Sequence, residues 1–287
     1  MVPPHTRALE HVTSLATGGP VEPSHRVTLN FHPDRLVGGP GGMPILEMMA
    51  RDGRYRSQFE TGTSNGGLTA HPGGDRWRWE SRIFAGAYDD ADAAHRPKYG
   101  SLNFRGRAIG GSPRFGSAHF RLSAESLGRT TFCYPDSYEE PEHFGVESRV
   151  STLVAMAEAD DSSRDEVLDD YVEAHVHGEL LLDRDVEALV LDPCYRGTSI
   201  EETADRLGCS VEWHSGFRLP LDGMRRHPDY RGPEFVSLGE EIASDGLLDP
   251  AIIGDASRTG RYDEQSLKRV WHYVARLGSA EMPELRE

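Results

Sequence analysis

The stretch DYVEAHVHGELLL, residues 170–182, places one carboxylate and two imidazoles at every second position. Successive side chains of a β-strand point to opposite faces of the sheet. If this stretch is a strand, Glu173, His175 and His177 therefore share one face. That face is a metal site, a polar face turned towards solvent, or a cleft wall on which one carboxylate acts.

The strand spacing weighs against the metal site. Zinc takes carboxylate and imidazole ligands, but same-face neighbours on a strand lie about 7 Å apart along the chain. Three in a row rarely converge on one ion, so a metal-dependent hydrolase would need a further ligand such as His214. The spacing favours Glu173 as a single acting carboxylate, and we expect no metal.

A glycine-rich loop, ETGTSNGGL, interrupts the first half of the chain. Glycine lets the backbone approach a ligand closely, and the neighbouring polar residues supply hydrogen-bond donors and acceptors. We predict that Gly62, Thr63, Ser64 and Asn65 bind a cofactor. The loop has neither the Gly-Lys-Ser/Thr of a P-loop nor a following helix as in a Rossmann unit, and a solvated hairpin loop is the alternative.

Residues 96–117 concentrate arginines in an otherwise acidic chain. Cations bind anionic groups, and aromatic rings interleaved with them stack on bases or pyridinium rings. We therefore predict that Arg96, Tyr99 and Arg114 help to bind a dinucleotide, with simple charge balance as the alternative. The stretch NFHPDR adds His32 and Arg35 directly after the first predicted strand.

The composition narrows the class of partner. The chain has 287 residues and a formal charge of −16, which argues against a nucleic-acid-binding surface. Three widely spaced cysteines fit a reducing compartment. There is neither an apolar run of membrane-spanning length nor an apolar Sec-type leader. We therefore expect no membrane association. We expect the protein in the bacterial cytoplasm or, after specialised secretion, in a host cytosol.

The elements that position these residues are mixed, so we expect an α+β fold. Residue patterns predict strands at 25–31, 54–62, 114–123, 129–134 and 170–182, the last forming a hairpin with 186–193. They predict helices at 44–53, 148–161, 199–208, 234–244 and 262–278. We divide the chain into a flexible arm (1–25), one domain (26–255) and a C-terminal helix and tail (256–287).

The order of these motifs resembles the ADP-ribosyltransferase plan, in which a His or Arg closes the first core strand and a Glu lies on a late strand. The resemblance implies a split β-sheet core and transfer of ADP-ribose from NAD to a protein. Glu173 would stabilise the reacting ribose, with His32 or Arg35 as the first-strand residue. The glycine loop and Tyr99 would hold nicotinamide, and arginines would pair with the pyrophosphate.

A closer resemblance rests on FHPDR, YRSQFETGTSNGG, RPKYG, RFGSAHFRL and VHG, which are similar to strings in bacterial effectors that ADP-ribosylate threonine on ubiquitin. Tyr171 stands where arginine- and asparagine-modifying members have Glu or Gln, which argues against arginine modification and leaves a hydroxyl acceptor open. His175 and His177 would orient Glu173 or contact the acceptor. The alternatives are a metal-dependent hydrolase and a non-catalytic nucleotide- or peptide-binding module.

Overall fold

A computed structural model describes residues 2–39, 41–62, 69–160 and 167–283. The strands within these ranges are β1 (Val27–Phe31), β2 (Leu36–Val37), β3 (Met43–Pro44), β4 (Arg54–Tyr55), β5 (Lys98–Leu102), β6 (Ala118–Leu122), β7 (Thr130–Tyr134), β8 (His143–Val146), β9 (Val172–Val176), β10 (Leu180–Leu181), β11 (Val186–Leu191), β12 (Ser210–Trp213), β13 (Leu219–Pro220) and β14 (Leu247–Leu248). The α-helices are α1 (Pro4–Leu15), α2 (Ile45–Asp52), α3 (Gln58–Thr61), α4 (Asp75–Ile83), α5 (Ser151–Ala159), α6 (Leu182–Asp185), α7 (Ser199–Ala204), α8 (Leu221–Arg225), α9 (Pro233–Ile242), α10 (Pro250–Arg258) and α11 (Glu264–Leu277).

Eight strands form one continuous sheet in the order β12-β11-β6-β1-β5-β9-β7-β8, which confirms the α+β class. The β11–β12 pair is parallel and the other pairs are antiparallel. Strand β9 lies well inside the sheet, between β5 and β7. Among the described residues, no helix is long and apolar enough to cross a bilayer.

Strand β9 is covered on both faces, and its side chains alternate between them. Val172, Ala174 and Val176 face the main apolar core, to which α2, α5 and α7 also contribute. Glu173 and His175 face the other side, where a smaller apolar cluster formed by α1, α4 and β7 covers the sheet. The predicted strand is confirmed, and its polar row is buried rather than turned towards solvent.

The predicted hairpin between residues 170–182 and 186–193 is wrong. Strand β11 pairs with β6 and β12, whereas β9 pairs with β5 and β7. The short β10 pairs with β4 instead. Sheet order depends on long-range packing, and adjacency in sequence is a poor guide to it when a strand is buried on both faces.

Two further boundaries differ from the sequence prediction. The strand predicted at 54–62 ends at Tyr55, because Ser57 and Glu60 form a reciprocal capping box that starts α3. The arm predicted to be flexible contains α1, whose Ala8 and Val12 are buried against the second face of the sheet.

The predicted domain boundary at residue 255 falls inside α10. Helices α8 to α11 share one apolar cluster that also includes Ile109, Val167 and Phe217 from the preceding chain. The C-terminal helix is therefore a packed part of the structure, not a separate tail.

Candidate active site

Glu173 is the carboxylate around which the site is built. Its neighbours across the sheet are Ser101 of β5 and Cys133 of β7. One carboxylate oxygen, Oε2, accepts hydrogen bonds from the Ser137 hydroxyl (3.0 Å) and backbone N–H (3.3 Å). The other, Oε1, lies 2.9 Å from Nε2 of His175. Only 6% of the surface of Glu173 is exposed, so these donors fix the orientation of its carboxylate.

Glu173 is held in its ionised form. Burial raises the pKa of Glu173, but the contact with His175, then the positive charge of Arg76 and the Ser137 hydrogen bond outweigh it, so the pKa lies below its usual value. The pKa of the nearby Asp136 is raised, because that carboxyl is buried and faces the negative charge of Glu173. The pKa values of these two neighbouring carboxyl groups are therefore shifted in opposite directions, and Glu173 is the more readily ionised of the two.

Arg76 of α4 links the carboxylate to an aromatic ring. Its Nη1 donates to the Ser137 hydroxyl over 2.8 Å, and its guanidinium lies 3.9 Å from the centroid of the Tyr99 ring. The side chain is buried, so its charge acts in a poorly screened environment. Neither Arg76 nor Ser137 is among the site residues predicted from the sequence.

Tyr99 and Arg96 meet at a buried glutamate. The Tyr99 hydroxyl donates to Glu80 over 2.8 Å, and Arg96 donates to the other oxygen of Glu80 over 2.6 Å. Tyr99 lines the cleft described below. Arg96 is only 3% exposed and committed to Glu80, so its predicted contact with a pyrophosphate is wrong. Arg96 instead anchors the glutamate that holds the Tyr99 hydroxyl.

His175 and His177 lie behind Glu173, beneath the rings of Trp79 and Phe84. Both histidines are fully buried, which rules out the predicted contact with an acceptor in this structure. The other predicted role, orientation of Glu173, agrees with the hydrogen bond from His175.

Tyr171 lies beside Glu173 and donates its hydroxyl proton to Asp136. Its ring packs edge-on against Phe115, with 5.5 Å between the centroids. Tyr171 lines the same cleft as Glu173, although only 1% of its surface is exposed. Its predicted influence on the acceptor remains a prediction.

A cleft of about 640 Å³ opens beside Glu173. The basic side chains that line it are Arg35, Arg56, Arg76, Lys98, Arg114, Lys268 and Arg269. We call four of them, Arg35, Arg114, Lys268 and Arg269, the basic wall. Burial and the charges of Arg114 and Arg269 lower the pKa of Lys268 to about 8. Such mutual repulsion is relieved by an anion.

Two members of the basic wall pair with acids. Arg35 contacts Glu264 and Arg114 contacts Asp169, and both acids are roughly half exposed. Exposed ion pairs contribute about 0–1 kcal/mol. An anionic ligand in the cleft can therefore replace these partners at little cost in stability.

His32 and Arg35 are separated by the structure. His32 lines a smaller cavity of about 70 Å³ and contacts Trp271 of α11 edge-on, at 4.7 Å between ring centroids. Burial lowers the pKa of His32 to about 3, so the ring is neutral. Arg35 lines both cavities. Of the two candidate first-strand residues, only Arg35 lies at the cleft.

The turn that carries Arg114 is held against the end of β1. A Cβ atom on Gly116 would lie 2.0 Å from the carbonyl carbon of Phe31, so only glycine allows this approach. The indole Nε1 of Trp271 donates to the carbonyls of Pro113 and Arg114, each over 3.1 Å. Helix α11 therefore fixes one part of the basic wall and supplies another through Lys268 and Arg269.

The described residues include only the beginning of the glycine loop. Gly62 ends α3 with a left-handed φ of 65°, next to Thr61, which lines the cleft. The predicted binding residues Thr63, Ser64 and Asn65 lie outside the described residues.

The four-ligand metal set that the hydrolase alternative requires does not assemble. His214 bonds to the carbonyl of Ser117 over 2.7 Å, and His177 faces Thr131 and Tyr88. The described residues bring together a different trio: ligand atoms of Cys133, Glu173 and His175 lie within 4.8 Å of one another. Burial and the negative charge of Glu173 raise the pKa of the Cys133 thiol, which disfavours the thiolate that zinc binds.

Residues 26–161 and 151–277 match the model of a protein family described as Protein of unknown function (DUF3626). The chain belongs to this family. No curated protein matches this DUF3626 member in sequence. Among solved structures, its fold is similar to that of DarT from Thermus sp. 2.9 in complex with NAD+, with a TM-score of 0.38, 12% identity, and coverage of 68% of this chain and 97% of that chain.

Proposed function

We propose that this protein is an NAD-dependent mono-ADP-ribosyltransferase in which Glu173 is the catalytic carboxylate. The observation that carries the proposal is the composition of one cleft. An ionised, immobilised Glu173 and the basic wall of Arg35, Arg114, Lys268 and Arg269 line the same 640 Å³ space. The motif resemblance described above points to the same chemistry.

The cleft suits a dinucleotide in size and charge. Ligand pockets typically enclose about 300–1,000 Å³, and arginine side chains bind phosphate oxygens through paired hydrogen bonds. The basic wall supplies the charge that a pyrophosphate requires, and Tyr99 and Phe115 supply aromatic surface. Arg35 and Arg114 are the residues we assign to the pyrophosphate.

Breaking the nicotinamide–ribose bond builds positive charge on the ribose, as in glycoside hydrolysis. A fixed carboxylate stabilises that charge without having to reorganise. Ser137 and His175 provide this fixation for Glu173, and Arg76 favours its ionised form. Nicotinamide leaves, the acceptor oxygen bonds to the same ribose carbon, and Glu173 takes the hydroxyl proton.

We propose a protein hydroxyl as the acceptor, with threonine on ubiquitin as the first candidate. This part rests on the motif resemblance and on Tyr171, which occupies the position of Glu or Gln in arginine- and asparagine-modifying members. Tyr171 supplies no carboxylate or amide to orient a guanidinium or an amide. A hydroxyl acceptor needs only a base, and Glu173 is present.

The test is incubation of the purified protein with adenylate-labelled NAD and ubiquitin or other candidate acceptors, followed by mass spectrometry. We expect added ADP-ribose on a threonine of a protein. Label on nucleic acid alone would overturn the protein acceptor but not the transferase. Binding of NAD without release of nicotinamide would instead indicate a non-catalytic binding module.

The trio of Cys133, Glu173 and His175 gives the metal-dependent hydrolase a specific test. We expect transfer activity to survive a strong chelator, because none of the steps assigned to these residues uses a metal. Stoichiometric zinc in the purified protein, together with chelator-sensitive activity, would favour the hydrolase.

A further inference from the structure

A continuous hydrogen-bonded chain runs from Glu173 into the protein interior. His175 lies 2.9 Å from Glu173 through Nε2 and 3.1 Å from the Thr131 hydroxyl through Nδ1. The same hydroxyl lies 2.9 Å from Nε2 of His177. Nδ1 of His177 lies 2.6 Å from the Tyr88 hydroxyl. All five side chains are buried, so these contacts are made within the protein.

With both histidines neutral, the chemistry of the groups fixes the direction of every bond in this chain. An ionised carboxylate only accepts, so Nε2 of His175 must carry its proton. A neutral His175 then accepts at Nδ1, and the Thr131 hydroxyl must donate to it. That hydroxyl has one proton, so it accepts from Nε2 of His177.

The last bond follows in the same way. A neutral His177 with its proton on Nε2 accepts at Nδ1, so the Tyr88 hydroxyl donates to it. Burial lowers the pKa of His175 and of His177, which keeps both rings neutral. In the competing arrangement His175 is a positively charged imidazolium. Its Nδ1–H then donates to the Thr131 hydroxyl, which reverses that bond.

We propose that Tyr88, His177, Thr131 and His175 form a one-way chain of neutral donors that orients Glu173 without placing a positive charge in contact with its carboxylate. Hydrogen bonds aligned in a row polarise one another and strengthen the final bond. An imidazolium at His175 would also hold the carboxylate, but its positive charge would cancel the field that stabilises a cationic ribose. The role given to this chain in catalysis rests on the proposed function, whereas its hydrogen bonds and tautomers do not.

Other titratable or charged groups also face Glu173. They are Arg76 from α4, Tyr99 from β5, Cys133 from β7, Asp136 from the segment after β7, and Tyr171, which precedes β9. Arg76 is the cation among them, and it reaches the carboxylate through Ser137 rather than through the histidines. The positive charge of Arg76 also lowers the pKa of His175, which favours the neutral ring.

The direct test is 15N NMR of histidine-labelled protein, with the signals assigned through His175→Gln and His177→Gln. We expect both rings to be neutral near pH 7, with a pyrrole-like Nε2 and a pyridine-like Nδ1. A protonated His175, or an Nδ1–H tautomer in either ring, would overturn the chain. This result does not depend on NAD being the substrate, so it separates the inference from the proposed function.

Variants at Thr131 test the purpose of the chain. Thr131→Val keeps the shape but removes the relay hydroxyl, and we expect kcat for nicotinamide release to fall about tenfold to a hundredfold. The KM for NAD should change little, and Thr131→Ser should recover most of the loss. Unchanged kcat in Thr131→Val would contradict a positioning role even if the tautomers were as expected.

The matched control is Thr130→Val, on the opposite face of the same strand. The Thr130 hydroxyl is equally buried and donates to the carbonyl of Ser126 over 2.8 Å. We expect Thr130→Val to leave the histidine tautomers and kcat unchanged. This control separates loss of the hydrogen-bonded chain from the general loss of a buried hydroxyl. An equal fall in kcat for both variants would reduce the effect to stability and overturn the proposal.

Discussion

The Ser137 hydroxyl donates to Oε2 of Glu173 over 3.0 Å, and it accepts from Nη1 of Arg76 over 2.8 Å. A single hydroxyl therefore connects the carboxylate of a central strand to a cation on a helix that packs over it. Both partners are almost completely buried, so their charges are coupled through a medium that screens them weakly.

This connection predicts the effect of removing the cation. Arg76 lowers the pKa of Glu173, whereas burial raises it, so Arg76→Met should raise the pKa of Glu173. Glu173 is then protonated at higher pH, and the acid limb of the pH profile for nicotinamide release should move to higher pH. The control is Arg78→Met on the same helix, where the side chain is 70% exposed. An unmoved acid limb in Arg76→Met would show that Arg76 does not govern the charge of Glu173.

The local pattern of β9 was readable from sequence, because strand alternation is a property of the backbone alone. Ser137 and Arg76 were not, because they reach Glu173 only through the order of strands and the path of α4. The stretch DRWRWE did contain a signal: Arg76, Trp79 and Glu80 recur at helical spacing, and all three are buried. That pattern was hidden by the glycines before it.

For His175 and His177, the sequence predicted the face of the strand but not its burial. Their shared face with Glu173 was predicted correctly, but the sequence could not show that α1 and α4 cover that face. Burial changes their role from contacting an acceptor to orienting a carboxylate. Likewise, the C-terminal helix was predicted as an element, but its contact with the Arg114 turn depends on long-range packing.

Trp271 provides a prediction for the basic wall. Trp271→Phe removes the indole hydrogen bonds to the carbonyls of Pro113 and Arg114, so the turn that carries Arg114 loses its anchor. We expect the KM for NAD to rise about two- to tenfold, the size of one or two neutral hydrogen bonds, with kcat nearly unchanged. Steady-state kinetics measure both.

The matched control is Trp213→Phe on the edge strand β12, where the indole lies under Arg196 at 4.1 Å. An equal rise in KM for both variants would point to a general loss of packing. A fall in kcat alone for Trp271→Phe would also contradict the assignment of Arg114 to substrate binding.

Asp34, in the FHPDR motif, provides a prediction about stability. Burial raises the pKa of Asp34 from 3.8 to about 6, although Arg258 and the Tyr195 hydroxyl partly offset it. Between these pH values the unfolded chain ionises more readily than the folded one, so Asp34 destabilises the fold as pH rises through about 6. The charge is absent below pH 3.8, where the penalty disappears.

The Asn side chain of Asp34→Asn cannot ionise. The free energy of unfolding of this variant, minus that of the unchanged protein, should therefore increase between pH 4 and pH 7. The gain is on the order of 3 kcal/mol, since each pKa unit corresponds to about 1.4 kcal/mol. Urea unfolding at several pH values measures it. The exposed Asp222→Asn variant reports the effect of the amide substitution itself. A difference that does not grow with pH would refute the raised pKa.

The central claim is that the charge of Glu173 drives cleavage of NAD, and Glu173→Gln tests it most directly. The variant keeps the shape but loses the charge, and the exposed Glu142→Gln variant is its control. The measurement is the rate of nicotinamide release from NAD, with thermal unfolding to confirm that both variants are folded. We expect a fall of roughly a hundredfold or more for Glu173→Gln, as for other lost electrostatic contacts to a transition state, and no change for the control. A folded Glu173→Gln protein that releases nicotinamide at the full rate would contradict the account.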